Sequence, residues 1–219
     1  MSPVPSMIDA TASNAARLLR ARALIPAWFS PGQRAEAETV LARILAGEQA
    51  PELVEAAKDL VYSHSHHGPE VADLAGVICG SPRVGAGVRG AVLRAVSTGG
   101  KMYPSLVSFA RRDVLAWFAT ASPLTLMDEA ERAVLAALPD PIEAWRGGQG
   151  FTIRQAAAGL SWTLDPEQAR WFANRRRPAP ALVVRANFPR AAVLAYFGDP
   201  DERELVVNWR RARALTAVS

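Results

Sequence analysis

The sequence has little cysteine, little lysine and no long apolar run, and the first and last of these shortages each exclude a class of protein. Cys79 is the single cysteine among 219 residues, which excludes an intramolecular disulfide and a cysteine cluster of the kind that binds zinc. No apolar stretch approaches the roughly 20 residues of a membrane-spanning helix. The N-terminus lacks the basic and apolar regions of a secretory signal, so we expect a cytoplasmic protein with no membrane partner.

Arginine carries almost all of the positive charge. Lys58 and Lys101 are the only lysines among 25 basic residues. Residues 1–140 carry 13 basic and 14 acidic side chains, whereas residues 141–219 carry 12 basic and 7 acidic ones. The basic excess therefore falls in the C-terminal third, where it favours an anionic ligand such as a dinucleotide, a nucleic acid or an acidic protein surface.

Residues 12–138 place apolar side chains at helical spacing between short breaks. One helix is predicted to begin after Ser30, with Pro31 at its first position, and to end near Gly47. The glycine-rich stretch GSPRVGAGVRG, residues 80–90, lacks the Lys-Ser/Thr pair of a phosphate-binding loop and is interpreted as an ordinary loop.

After residue 140 the pattern changes to short β-branched and aromatic runs bounded by Gly, Pro and Asp, which is typical of strands. The runs are IEAWRGG, GLSWTL, ALVVRANF, AVLAYF and RELVVNW. One helix is predicted between the second and third runs, with Asp165 as its N-cap and Pro166 at its first position. The sequence therefore predicts an α+β protein with a helical domain over 1–140 and a small β-sheet module over 141–219.

Side chains alternate between the two faces of a strand, which groups several polar residues of this module. Arg146 ends the first predicted strand. Ser161 and Thr163 share one face of the second strand, and Glu202 and Glu204 share one face of the last. The module thus offers an arginine, a hydroxyl pair and a carboxylate pair on three separate strands.

This order of motifs resembles the Arg–Ser–Glu branch of the mono-ADP-ribosyltransferases. That pattern has Arg at the end of a first strand, Ser-x-Thr/Ser on a second and Glu-x-Glu on a later one. The resemblance covers about residues 142–209, and Trp162 departs from the small or polar residue usual at its position. The blocks AWRGG, GLSWTLDPEQARWFA, VLAYF and ERELVV are also similar to short modules of many phage and bacterial proteins. A toxin, a phage-encoded modifier of host proteins and a housekeeping enzyme are all compatible with these residues.

The resemblance implies that four of these residues bind NAD, the substrate that supplies ADP-ribose. Arg146, with the adjacent Gly147, would hold the ribose-phosphate side, because a guanidinium matches phosphate and ribose oxygens. Ser161 would orient the catalytic carboxylate, and Thr163 would support the strand. No metal is implied.

The resemblance makes Glu204 and Glu202 the catalytic residues. Glu204 would bind the nicotinamide-ribose hydroxyl and stabilise the oxocarbenium-like state as nicotinamide leaves. Glu202 would polarise the incoming nucleophile. The acceptor expected for this branch is a protein, usually through an arginine side chain, with nucleic acid as a second class of acceptor.

Two other functions fit the same residues. The fold could serve as a binding module that contacts nucleic acid or protein without catalysis, or the protein could be an NAD glycohydrolase that releases nicotinamide and modifies nothing.

Taken singly, the Glu-x-Glu pair is most often a solvated strand face. HSHH at 64–67 is interpreted as a polar helix end, and Cys79 as a small buried residue.

Overall fold

A computed structural model describes residues 13–63, 69–98, 106, 109–175, 180–198 and 203–218. The chain forms two compact units: Met1–Leu126, here the helical unit, and Met127–Ser219, here the sheet unit. Helices dominate the first and an antiparallel sheet the second, so the fold is α+β and the predicted class is confirmed. The units divide between Leu126 and Met127, whereas the predicted domain boundary lies at residue 140.

The helical unit contains α-helices joined by short loops. They are α1 Asn14–Ala23, α2 Pro31–Ala46, α3 Glu52–Ser63, α4 Pro69–Cys79, α5 Ala86–Thr98, α6 Arg111–Ala119 and α7 Pro123–Leu126. Helix α2 begins and ends as predicted: Ser30 and Gln33 form a reciprocal capping box, and Gly47 ends the helix with φ 89°. No helix in the described part of the chain combines the length and the apolar character that crossing a membrane requires.

The prediction of a loop over residues 80–90 is wrong in its second half, because α5 already begins at Ala86. The glycines here serve close packing instead of a turn. A Cβ atom on Gly90 would lie 2.3 Å from Oγ1 of Thr125 and 2.8 Å from the carbonyl oxygen of Ser122. Helix α5 can therefore approach α7 only because position 90 has no side chain.

Buried Arg89 holds the preceding loop against the end of α6. Its guanidinium donates to the carbonyl oxygens of Ser81 at 3.2 Å and Val84 at 3.0 Å, and to Oγ1 of Thr120 at 2.9 Å. The neighbouring Cys79 is buried as predicted, and burial raises the pKa of its thiol to about 12. The thiol is therefore protonated and unreactive at neutral pH.

The sheet unit begins with a helix and continues as strands interrupted by two short helices. Its elements are α8 Glu129–Ala137, β1 Ile142–Gln149, α9 Ile153–Ala157, β2 Ser161–Thr163, α10 Pro166–Asn174, β3 Ala181–Phe188, β4 Val193–Phe197, β5 Glu204–Val207 and β6 Arg213–Val218. The six strands lie in the order β4-β5-β2-β1-β3-β6, and every neighbouring pair is antiparallel. The five strand-like runs in the sequence correspond to β1–β5, whereas β6 was not predicted.

The two faces of the sheet pack differently. On one face Trp162 and its register partner Leu205 are buried, and the indole packs edge-to-face on Phe188 with ring centroids 4.9 Å apart. On the other face the small residues Ala169 and Ala173 of α10 pack on buried Val183. Small residues on the inner side of α10 allow it to lie close to β1 and β3.

Helix α8 and the short segment before it close the β4 edge of the sheet. The backbone N–H of Tyr196 donates to Sδ of Met127 at 3.3 Å, and the N–H of Gly198 donates to Oε1 of Glu131 at 3.1 Å. The other carboxylate oxygen of Glu131 accepts from the N–H of Asp128 at 2.8 Å, which caps α8. Glu131 is buried, and it joins the start of α8 to the end of β4.

Candidate functional site

The three strands that carry the predicted site, β1, β2 and β5, are neighbours in the sheet. Trp145 of β1 is the register partner of Thr163 in β2, and Thr163 is the register partner of Glu204 in β5. Directly paired residues of antiparallel strands lie on the same face. The fold therefore aligns these three residues in one row across the sheet, although they are far apart in sequence.

Glu204 and Thr163 are both buried, with 8% and 6% of their surfaces exposed. The interpretation of the Glu-x-Glu pair as a solvated strand face is therefore wrong for Glu204. Ser161 lies two residues from Thr163 and faces Val206, so register brings Thr163, not Ser161, directly opposite the carboxylate. The electrostatic interaction of a buried carboxylate with a nearby charge is strong, because the local dielectric constant is low.

Thr163 also fixes the start of α10. Its Oγ1 accepts a hydrogen bond from the N–H of Asp165 at 3.0 Å, and the carboxylate of Asp165 accepts from the N–H of Glu167 at 2.8 Å. These two local bonds turn the chain from β2 into α10 within two residues. The predicted N-cap, Asp165, is confirmed.

The guanidinium of Arg146 reaches β2, the strand that carries Ser161 and Thr163. Nη1 donates to the carbonyl oxygen of Ser161, and a Cβ atom on Gly159 would lie 2.2 Å from Cζ of Arg146. The pairing of β1 with β2 consists of Trp145 with Thr163 alone. Because side chains alternate along β1, Arg146 lies on the opposite face from Trp145. Its side chain reaches β2 because it is long.

Gly159 is a residue of the site that the sequence did not indicate. The missing side chain leaves the space that the Arg146 guanidinium fills. The carbonyl oxygen of Gly159 accepts a hydrogen bond from Nε1 of Trp162 at 3.0 Å. Trp162 points into the core, since only 1% of its surface is exposed.

Gly147 lies directly beneath α10. A Cβ atom at this position would come within 1.8 Å of the carbonyl oxygen of Ala169 and 2.8 Å of the backbone nitrogen of Ala173. Packing alone thus requires glycine here. The role in NAD binding that the resemblance implies for Gly147 stays a prediction.

The chain enters β5 through an uncommon backbone conformation. Arg203 has φ 43°, in the left-handed region, and its carbonyl oxygen accepts from the N–H of Leu164 at 3.1 Å. This bond ties the residue before Glu204 to the end of β2. Glu202, the other predicted catalytic carboxylate, lies outside the described residues.

Among the described residues no group of three or more His, Cys, Asp or Glu side chains is arranged to hold a metal ion. The histidines of the HSHH segment lie outside those residues. No protein-family model, no curated protein and no solved structure matches this chain. The interpretation of the site therefore rests on its residues and their geometry.

Proposed function

We propose that this protein is a mono-ADP-ribosyltransferase that transfers ADP-ribose from NAD to a protein acceptor. The observation that supports the proposal best is the adjacency of β1, β2 and β5 in the sheet, because these three strands carry the three motifs. The burial of Glu204 in the row with Thr163 gives further support. A glutamate pair on a solvated strand face would need neither the adjacency of these strands nor the burial of Glu204.

The reaction needs a negative charge where positive charge develops, and the buried carboxylate of Glu204 could supply it. The bond between ribose C1 and the nicotinamide nitrogen breaks, and nicotinamide leaves with the electron pair. Positive charge then develops at C1 and the ring oxygen, where the carboxylate of Glu204 would stabilise it. An acceptor nitrogen attacks C1 and loses a proton, a step in which Glu202 would polarise the nucleophile.

Arg146 would bind the anionic part of NAD in this proposal. A guanidinium presents several donors in one plane and keeps its charge at every physiological pH, so it suits phosphate and ribose oxygens. Its bond to the carbonyl oxygen of Ser161 would hold it beside β2. Ser161 and Thr163 would then position the strand and the carboxylate.

The test combines labelled NAD, a cell lysate as the source of acceptors and the substitution Glu204→Gln. We expect the wild-type protein to label an acceptor and release nicotinamide, and Glu204→Gln to slow both by on the order of a hundredfold or more, since it removes a stabilising charge. Glu143→Gln is the matched control, because Glu143 lies in the same sheet but is exposed and paired with Arg185. It should leave both rates unchanged.

The same assay separates the alternatives. Nicotinamide release without labelling of any acceptor would indicate an NAD glycohydrolase. A wild-type protein that does neither would contradict the enzyme proposal and favour a non-catalytic binding module. Under the transferase proposal, Glu202→Gln should lose labelling while keeping some nicotinamide release, and equal loss of both would contradict the role given to Glu202.

A further inference from the structure

Strand β6 forms the second edge of the sheet, and it is exposed. Its strand partner within the described sheet is β3 alone. All residues from 213 to 217 are exposed, including the apolar Leu215 at 37%. Alternate residues of an antiparallel strand direct their N–H and C=O groups to opposite sides, so β6 presents backbone donors and acceptors away from β3.

The surroundings of this edge are basic. Arg210 and Arg211 lie in the 3-10 turn Trp209–Arg211 before β6, and Arg213 begins the strand. No acidic residue occurs between Asn208 and Val218. Within the described part of the chain none of these three arginines forms an ion pair.

A bulge divides β6 into two parts. The register with β3 shifts between Arg185 and Asn187, and Ala214 has φ 50°. Beyond the bulge Thr216 pairs with Arg185, and the pairing is regular to Val218. The regular part therefore has an accessible backbone edge, and the arginines lie at one end of it.

We propose that the β6 edge binds an extended acidic peptide, which adds to the sheet as a seventh strand. Backbone hydrogen bonds would form along residues 215–218, and acidic side chains at one end of the peptide would meet Arg211 and Arg213. Charge selects this partner over a second copy of the chain. The same segment of a second copy has no acidic side chain to meet these arginines, so it lacks the complementary charge.

A fluorescein-labelled peptide of alternating glutamate and threonine tests the proposal by fluorescence anisotropy, without NAD. The double substitution Arg211→Glu and Arg213→Glu should weaken binding roughly tenfold or more, since it turns two attractions into repulsions. The double substitution Arg111→Glu and Arg112→Glu, an equal change of charge at two exposed arginines of the helical unit, should leave binding unchanged. The same peptide with every backbone amide N-methylated should not bind, because it cannot donate strand hydrogen bonds.

Hydrogen exchange locates the bound peptide. We expect slower exchange at the backbone amides of residues 213–218 and unchanged exchange at β4. Protection elsewhere, or equal binding of the N-methylated peptide, would overturn the proposal. Dimers that form with rising protein concentration and protect β6 would also overturn it, because the partner would then be a second copy. A single-stranded oligonucleotide that protects β6 where the peptide does not would overturn it as well.

Discussion

At the β4 edge of the sheet the backbone N–H groups of Tyr196 and Gly198 donate to side chains, whereas at the β6 edge five consecutive residues lie exposed. The closed edge uses two acceptors from one short segment, Met127 and Glu131. The open edge carries Arg213 and the bulge at Ala214, and charges and bulges are features that discourage unintended strand pairing. One sheet thus combines an edge closed by its own chain with an edge that only selective partners can approach.

Helix α8 can close the β4 edge because both of its ends are fixed. At its start, Glu131 binds the N–H groups of Asp128 and Gly198. At its end, the Arg190 guanidinium donates to the carbonyl oxygens of Leu135, at 3.1 Å, and of Ala136 and Leu138. Cations at the C-terminal end of a helix are favourable, since unpaired carbonyl groups collect there.

The largest effect is expected for Glu131→Ala. The change removes a buried carboxylate that accepts two backbone N–H groups, so we expect the free energy of unfolding of the sheet unit to fall by about 2–4 kcal/mol. Urea denaturation followed by tryptophan fluorescence measures it. A loss as small as that of an exposed residue would mean that Glu131 does not close the β4 edge.

A smaller effect is expected for Arg190→Ala. The guanidinium is only half-buried, and water can replace part of its bonding to the end of α8, so a loss of about 1–2 kcal/mol is expected. Arg190→Lys keeps the charge but cannot span three carbonyl groups, and should recover only part of the loss. Full recovery by lysine would show that charge alone fixes this end of α8.

The smallest effect is expected at the open edge. Thr216→Ala changes an exposed side chain of β6, so the free energy of unfolding should change by no more than about 0.5 kcal/mol. The same denaturation experiment measures it beside Glu131→Ala. If both substitutions cost the same, the two edges would contribute equally to stability, and the contrast between them would be wrong.

The pattern of apolar residues was sufficient to predict the helical unit and the strands β1–β5, because these elements bury apolar side chains on one or both faces. Strand β6 escaped prediction because both of its faces are exposed, so RALTAV shows no alternation that burial would impose. The start of α5 was missed for a related reason. Gly87 and Gly90 resemble loop residues, although Gly90 allows close helix packing.

For the candidate site, the motifs identified residues that the sheet brings onto adjacent strands, but not their arrangement. The pairing of Thr163 with Glu204 depends on strand register, which no local pattern near either residue encodes. The burial of Glu204 and the left-handed conformation of Arg203 depend on tertiary packing in the same way. The space at Gly159 for Arg146 becomes visible only when both strands are in place.

The buried thiol of Cys79 makes the molecule convenient for spectroscopy. It is the single cysteine, and its pKa of about 12 leaves almost no thiolate at neutral pH to react with maleimide reagents. A cysteine introduced at an exposed position of β6 would therefore take up a fluorophore or spin label selectively in the native protein. Distances between such a label and an added peptide can then be measured with no need to remove the native cysteine.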